Sequence, residues 1–574
     1  MRPWGQYIAT PRREVSRISA GFCVCRSPRQ ALYNAAVSNR TTEFPLLRFP
    51  RERATIVQET AQRALQTVLA RGAPEYILND TCLHEIRRLS ESAAQEEVKS
   101  LGQWKHLWRH LGGLDRPALI DQLAKVVHGF TEDVAGGFSP PVYGIATQLL
   151  PPALGLLLTP ESIGDIASHL VQPVKLLSLL HERLQVEGAL LQLQRLSRRA
   201  TLVCVPTHLS NLDSPLMGYA LQRAGLPPTT YGAGKNLFTN PVLGFFMRNL
   251  GAYRVDRRIR HDVYKDVLKT YSQVILERGY HSMFFPGGTR SRSGRVEQHL
   301  KLGLLGTTLS ATVERYRRIT GATAGPPIPP IYIVPVTINA QLVLEAETLI
   351  ADYLKETGKS RFIIDDDEST QIKRMVQFIR STVTHAGAVV IRFGAPLDVL
   401  GNPVDEEGHS LGPHGHPIDL SRYFWVRGAP QIVPQRDAEY MNDTGHAIAR
   451  AYRHETVLMP THILASVIWR YLDVALPGLD LYRRLSQPLD LALEEGAVLA
   501  DIEALQARLR ARGHLLGPHA RGPAREVLDA ALSAFASYHS EPAVPRTADG
   551  KLAPGDRQLL FYYQNRIDSL GVLP

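Results

Sequence analysis

Over the first third of the chain, apolar residues recur at three- and four-residue spacing. The stretch "RATIVQETAQRALQTVLARGAPEYILNDTCLHEIRRLSESAAQEEVKSL" keeps that period over many turns, and Gly72 and Pro74 mark a break in it. A period near 3.6 residues buries one stripe of a helix. "QPVKLLSLLHERLQVEGALLQLQRLSRRA" (172–200) carries the same pattern and predicts one amphipathic helix. From residue 201 the pattern changes. Short continuous apolar runs ("TLVCVP", "HSMFFPGG", "IYIVPVTIN", "AVVIRFGAPL") alternate with helical stretches such as "HDVYKDVLKTYSQVILERG" (261–279). Apolar runs without polar alternation suit strands covered on both faces, and strand–helix alternation predicts parallel pairing. Residues 401–430, rich in Gly, Pro and His, read as a long loop, after which helical periodicity returns in "RDAEYMNDTGHAIARAYRHETV" and "LEEGAVLADIEALQARLRARGHLL". The expected fold is α/β: a central, mostly parallel mixed sheet flanked by helices, with helical regions at both ends. The expected segments are a basic arm (1–53), a helical region (54–196), an α/β domain (197–400), and a loop with a second helical region (401–574).

Composition narrows the class. The 574 residues are 44% hydrophobic and 21% charged, and the formal net charge is +10. Such an excess suits an anionic partner: membrane lipid, phosphorylated metabolite, acyl carrier or nucleic acid. No nucleic-acid motif supports the last, and aromatic residues are only 7%. Residues 1–53 hold ten arginines against three glutamates, the composition of a disordered or transit-like arm. The four cysteines (Cys23, Cys25, Cys82, Cys204) have no zinc-site spacing with histidine and point to a reducing, cytosolic setting. No uncharged apolar run reaches the roughly 18 residues of a spanning helix. The nearest is "IATQLLPPALGLLL" (145–158), broken by Pro151 and Pro152. It reads as a buried hairpin of two short helices or as a segment resting on a bilayer.

Candidate chemistry begins at "TLVCVPTHLSNLDSPLMGYAL" (201–221). His208 and Asp213 are five residues apart, so on one helix they would point about 140° apart. They can meet only where the chain turns from strand to helix. A neutral imidazole takes protons near pH 7, and a carboxylate on its other nitrogen orients it and stabilises its cation. No G-x-S-x-G serine completes a hydrolase triad, so this histidine would act directly on a substrate hydroxyl. Further on, "FFPGGTRSRSGRVEQHLKLG" (284–303) follows a strand with Gly287 and Gly288, then Arg290, Arg292, Arg295 and Lys301. Glycines admit a ligand close to the backbone, and guanidinium forks match phosphate oxygens. A solvated basic loop has the same composition. "GAGKN" is no Walker loop, because Thr229 and Asn236 stand where glycine and Ser/Thr are needed. His409, His414 and His416 read as solvent-facing.

In order, "HLSNLD", "GKNLFTNPVLGFFMRNLGAYRVDR", "FPGGTRSRSG" and "IYIVPVTIN" resemble the four blocks of the glycerolipid acyltransferase superfamily. Flanking segments including "YILNDTCLHEIRRL", "VLMPTHILAS" and "LLFYYQNRIDSLGV" resemble its glycerol-3-phosphate acyltransferase branch, and the likeness spans roughly residues 55–574. The resemblance implies that His208 and Asp213 are the catalytic pair. It implies that Gly288, Arg290 and Arg292 serve the acceptor's phosphate, that Lys235, Arg257 and Lys301 are basic positions of the same site, and that Pro335 is the fourth-block proline. It implies acyl transfer from acyl-CoA or acyl-carrier protein to the 1-hydroxyl of glycerol 3-phosphate. No metal or redox cofactor is called for, and an enzyme of this kind would work peripherally on the cytoplasmic, anionic face of a membrane. Dihydroxyacetone phosphate or a lysophosphatidate are alternative acceptors, and a non-catalytic acyl- or membrane-binding relative is another reading. One departure stands out: the third block usually carries a glutamate before its glycine, and Pro286 and Gly287 occupy the places where it would fall.

Overall fold

Seven strands build the central sheet: β1 (Leu184–Gly188), β2 (Thr201–Pro206), β3 (Thr230–Gly234), β4 (Ala252–Val255), β5 (Ser282–Met283), β6 (Ile331–Ala340) and β7 (Val389–Phe393). The computed structural model describes residues 44–91, 95–158, 180–239, 241–357 and 388–572. The strand order is β1-β7-β6-β2-β5-β3-β4. The five strands from β6 to β4 are parallel, while β7 runs antiparallel to β6 and carries β1 parallel to itself. The sheet is thus mostly parallel and mixed, as its apolar runs imply. β2 is buried along its whole length. Leu202 and Cys204 enter the core on one face, and Val203 and Val205 the core on the other.

Helices cover both faces. Among the described residues, those that precede the sheet include α1 (Phe49–Leu69), α2 (Pro74–Ser90), α3 (Gln95–His110), α4 (Arg116–Val134) and α5 (Pro140–Leu158). Proline in the first turn starts α1, α2 and α4, where its missing N–H costs nothing. Within and beside the sheet lie α6 (Leu190–Leu196), α7 (Asp213–Arg223), α8 (Pro241–Asn249), α9 (Asp262–Glu277), α10 (Leu302–Ile319) and α11 (Ala346–Thr357). Six follow among the described residues: α12 (Pro434–Glu455), α13 (Pro460–Ala475), α14 (Leu481–Ser486), α15 (Glu495–Ala511), α16 (Ala524–Ser537) and α17 (Arg557–Asp568). The apolar stripes of α1 and α4 meet α9 in one core. Those of α13, α15, α16 and α17 form another, which also takes in α11.

The structure corrects four readings. A strand interrupts the leucine period of 172–200: Leu184–Gly188 pairs with β7, and of the described residues there 180–183 and Leu190–Leu196 are helical. Edge pairing has overridden local periodicity. Gly188 enforces the break, with φ +108° and a Cβ position only 1.9 Å from the Phe393 carbonyl oxygen. The sheet domain therefore begins at Leu184 and not at 197; residues 172–179 lie outside the described residues. The basic arm ends sooner than 53, because Pro45–Pro574 form one compact unit and Arg53 Nε donates to the Gly136 carbonyl at 3.0 Å. The first 43 residues of that arm lie outside the described residues. Residues 145–158 are not a hairpin: α5 runs through Pro151 and Pro152 as one helix and packs against α7 and α8. The 401–430 loop ends in a two-stranded turn, Trp425–Val426 with Ala429–Pro430, and His409, His414 and His416 are exposed on it.

Candidate functional site

Every candidate residue follows the C-terminal end of a parallel strand, the edge of an open α/β sheet where ligands bind. β2 leads into His208. There Asp213 opens α7 and the chain between folds back on its carboxylate. Asp213 Oδ2 accepts the Leu209 N–H at 2.6 Å, the Ser210 N–H at 2.9 Å and a bond from His208 Nδ1 at 2.8 Å. The helix N-terminus favours that charge. Asp213 is 1% exposed. An ionised carboxylate only accepts, so Nδ1 carries the proton and Nε2 is the basic nitrogen. Phe285 stacks on the imidazole, ring centroids 4.2 Å apart. The His208 main chain is held as firmly as its side chain: its N–H donates to Glu297 Oε1 at 2.8 Å, and its carbonyl accepts the Ser291 N–H at 2.7 Å.

Ser291 belongs to the basic loop that follows β5, so this last bond joins the two candidate motifs. Gly288 has φ +75°, and a Cβ there would fall 2.5–2.7 Å from Cδ, Cε and Nζ of Lys301. Glycine is what lets Lys301 cross the loop. The Arg290 side chain is 7% exposed, its Nη1 3.6 Å from Glu345 Oε1. Glu345 in turn accepts the Asn211 N–H at 3.0 Å and the Ser210 hydroxyl at 2.9 Å, bracing Arg290 against the His208–Asp213 turn. Arg292 sits at the rim and pairs with exposed Glu356 at 2.9 Å. Lys235 follows β3, its Nζ 3.3 Å from buried Asp256. Burial raises the Asp256 carboxyl, but Lys235 and Arg258 outweigh it and hold the group below the usual carboxylate range. Arg88 of α2, paired with Glu85 at 2.6 Å, approaches the same carboxylate at 3.9 Å. Arg257 is exposed on the turn after β4, and its neighbour Arg258 makes the contact with Asp256. The structure thus gathers His208, Asp213, Gly288, Arg290 and Lys301 closely and leaves Arg257 outside that network.

Three contributors escaped the sequence reading. Glu297 sits within the basic loop but is its one acid and carries no motif position, and Glu345 is a single acid in a segment with no chemical pattern of its own. The third is α17, which backs the basic loop. Asn565 Nδ2 donates to the Ser293 carbonyl at 2.8 Å, and Ser569 Oγ accepts the Val296 N–H at 3.1 Å. A Cβ at Gly294 would strike the Tyr562 carbonyl oxygen at 2.1 Å. Arg566 is 2% exposed and bonds the Ile338 carbonyl at 3.3 Å. Burial lowers its pKa, which the nearby charges of Glu297 and Asp213 oppose. Only the likeness of "LLFYYQNRIDSLGV" to the family flags this helix in the sequence.

Residues 189–339, which hold His208, Asp213, Lys235, Arg257, Gly288, Arg290, Arg292 and Lys301, match the Acyltransferase family model. That segment is similar to the acyltransferase family. A glycerol-3-phosphate acyltransferase of Pseudomonas fluorescens is 26% identical over 391 residues, 66% of this chain and 39% of the relative. One of Pseudomonas paraeruginosa is 30% identical over 207 residues, 36% of this chain and 22% of its own length. The chain therefore spans two fifths or less of those relatives. The crystal structure of the 1-acyl-sn-glycerophosphate (LPA) acyltransferase PlsC from Thermotoga maritima matches 41% of this chain and 69% of its own at 18% identity, with a TM-score of 0.23.

Proposed function

We propose that this acyltransferase moves a fatty acyl group from acyl-CoA or acyl-carrier protein to the 1-hydroxyl of glycerol 3-phosphate. The observation that carries the reading is the 2.7 Å bond from the Ser291 N–H to the His208 carbonyl, which fixes a proton acceptor beside a guanidinium-bearing loop. The acceptor's phosphate dianion rests on Arg290 and Lys301, with Arg292 at the rim and Lys235 and Arg257 extending the positive field. That anchoring brings the hydroxyl to His208 Nε2. The imidazole takes the proton as the oxygen attacks the thioester carbonyl, and Asp213 stabilises the imidazolium. The tetrahedral intermediate then expels the thiolate, which the imidazolium reprotonates, leaving 1-acylglycerol 3-phosphate. No covalent enzyme intermediate forms.

Thioester release with glycerol 3-phosphate, dihydroxyacetone phosphate and a lysophosphatidate separates the acceptors. Substituting His208→Ala should cut kcat on the order of 10²–10⁴-fold, the span of general-base catalysis. Arg290→Ala should chiefly raise KM for the phosphorylated acceptor. Wild-type turnover in the His208 variant would rule the reading out, and a loss confined to kcat in the Arg290 variant would remove that residue from phosphate binding.

The product partitions into lipid, and we infer that the enzyme works peripherally on the cytoplasmic face of the membrane. Ile145 and Leu149, one turn apart on α5, are 55% and 57% exposed, and Phe245 of α8 is 50% exposed. Exposed Arg248 lies one turn beyond Phe245. Apolar side chains beside a cation are the pattern of a helix seated at an anionic interface.

A further inference from the structure

The third block of this chain has Gly287 where the resemblance calls for a carboxylate. The backbone there does not require glycine, since Gly287 is not among the residues with positive φ. Space does. A Cβ at Gly287 would lie 2.6 Å from Glu297 Oε2 and 2.8 Å from the Glu297 carboxyl carbon. Any side chain at 287 and the Glu297 carboxylate would claim one volume, and Glu297 holds it.

We propose that Glu297 supplies, from further along the same loop, the carboxylate that the third block lacks at position 287, and that it is a positioning residue for His208. This rests on the acyl-transfer reading above. Glu297 Oε1 accepts the His208 N–H at 2.8 Å, so the residue acts on the reaction through the main chain of the general base. With Ser291 holding the His208 carbonyl, the two ends of the third block fix both backbone polar groups of that residue. Imidazole placement then depends on a backbone set from the basic loop, not on the Asp213 bond alone. Glu297 Oε2 is shut off from solvent and has no hydrogen-bond partner among the described residues. Burial pushes the carboxyl up to about 7, while the His208 N–H and Arg566 pull the other way. Oε1 serves there as a fixed hydrogen-bond acceptor for the His208 main chain. The chain tolerates that burial because the loop is braced behind it by Asn565 and Ser569.

The test is a double-mutant cycle on the full chain, read by kcat, KM and Tm. Replacing Glu297→Ala orphans the His208 N–H and should lower kcat on the order of 10–100-fold, as small misplacements of a catalytic group do, with acceptor KM nearly unchanged. Glu297→Gln keeps an acceptor oxygen and should stay much closer to wild type in kcat, and, being isosteric, should fold. Gly287→Ala should lower Tm and kcat in the wild-type background but cost little in the Glu297→Ala background, where the volume is vacant. Joining Gly287→Glu to Glu297→Ala should restore much of the lost kcat. Wild-type kcat in Glu297→Ala, or strictly additive cycles in an active enzyme, would overturn this inference and leave the acyl-transfer reading standing. A wild-type chain that acylates none of the three acceptors would overturn that reading instead, and the Tm cycle would still decide whether 287 and 297 share one volume.

Discussion

At the scale of residues, the site spends polar bonds on holding a few groups still. Asp213 Oδ2 takes three donors, two of them from its own turn, so the carboxylate is set before any substrate arrives. The same economy shapes the pH response of the fold. His281 precedes β5, and its Nδ1 accepts the Leu202 N–H at 3.0 Å, which only the neutral ring can do. Burial lowers His281 to about 4, and lowers His462 to about 3 and His539 to about 4. An unfolded histidine binds its proton near 6.5, so between that pH and about 4 the unfolded chain holds more protons. The stabilisation is complete above pH 6.5 and is lost as the pH falls. For His281 alone the loss between pH 7.5 and pH 5 amounts to about 2 kcal/mol. Replacement of His281 by Asn, whose side-chain oxygen can still accept the Leu202 N–H, should flatten the fall of Tm over that range. An unchanged slope would remove His281 as its source.

At the scale of elements, the basic loop is a clamped segment, and α17 is the clamp. The bonds from Asn565 and Ser569 land on Ser293 and Val296, either side of Arg295. Arg295 itself pairs with Asp568 at the end of the same helix. Paired replacement of Asn565→Ala and Ser569→Ala should loosen the loop and raise the acceptor KM about tenfold, a cost near 1.4 kcal/mol spread over two hydrogen bonds. Circular dichroism should stay unchanged, because the apolar face of α17 still packs in the C-terminal core. If KM does not move, the loop keeps its shape without the clamp. Elements also mark where the sequence was readable. β2 and α9 were legible because a continuous apolar run and a 3.6-residue stripe each admit one reading. β1 was not, since "LQVEG" lies inside a leucine period that a helix would satisfy equally, and only pairing with β7 decides it. The unbroken α5 was missed because its packing on α7 and α8 lies outside any local pattern.

At the scale of the whole molecule, the helices around the sheet reach the site from both chain ends. From the N-terminal side, Arg88 and Glu85 of α2 connect to Asp256 and so to Lys235. From the C-terminal side, α17 delivers Arg566 near Asp213 and Glu297. Among the described residues no helix is long and apolar enough to cross a membrane. Exposed Ile145, Leu149 and Phe245 therefore carry the membrane expectation. The protein should co-sediment with vesicles containing anionic phospholipid, and Leu149→Asp with Phe245→Asp should release most of it while acyl transfer from a soluble short-chain thioester to glycerol 3-phosphate continues. Equal sedimentation of the double variant would clear this face of the role.

What the sequence by itself determined is the chemistry available: a histidine and an aspartate across a strand-to-helix turn, a glycine–arginine loop after another strand, and runs that could only be buried strands. These are local facts, fixed by side-chain type and by periodicity over a few residues. Only the tertiary structure decided which groups share a space. It put Glu297 into the volume left by Gly287, set Glu345 between Arg290 and the His208 turn, and left Arg257 exposed. Such neighbours are brought together by the order of strands in the sheet and by helices returning from distant parts of the chain, and no spacing along the sequence encodes a distance across a cleft.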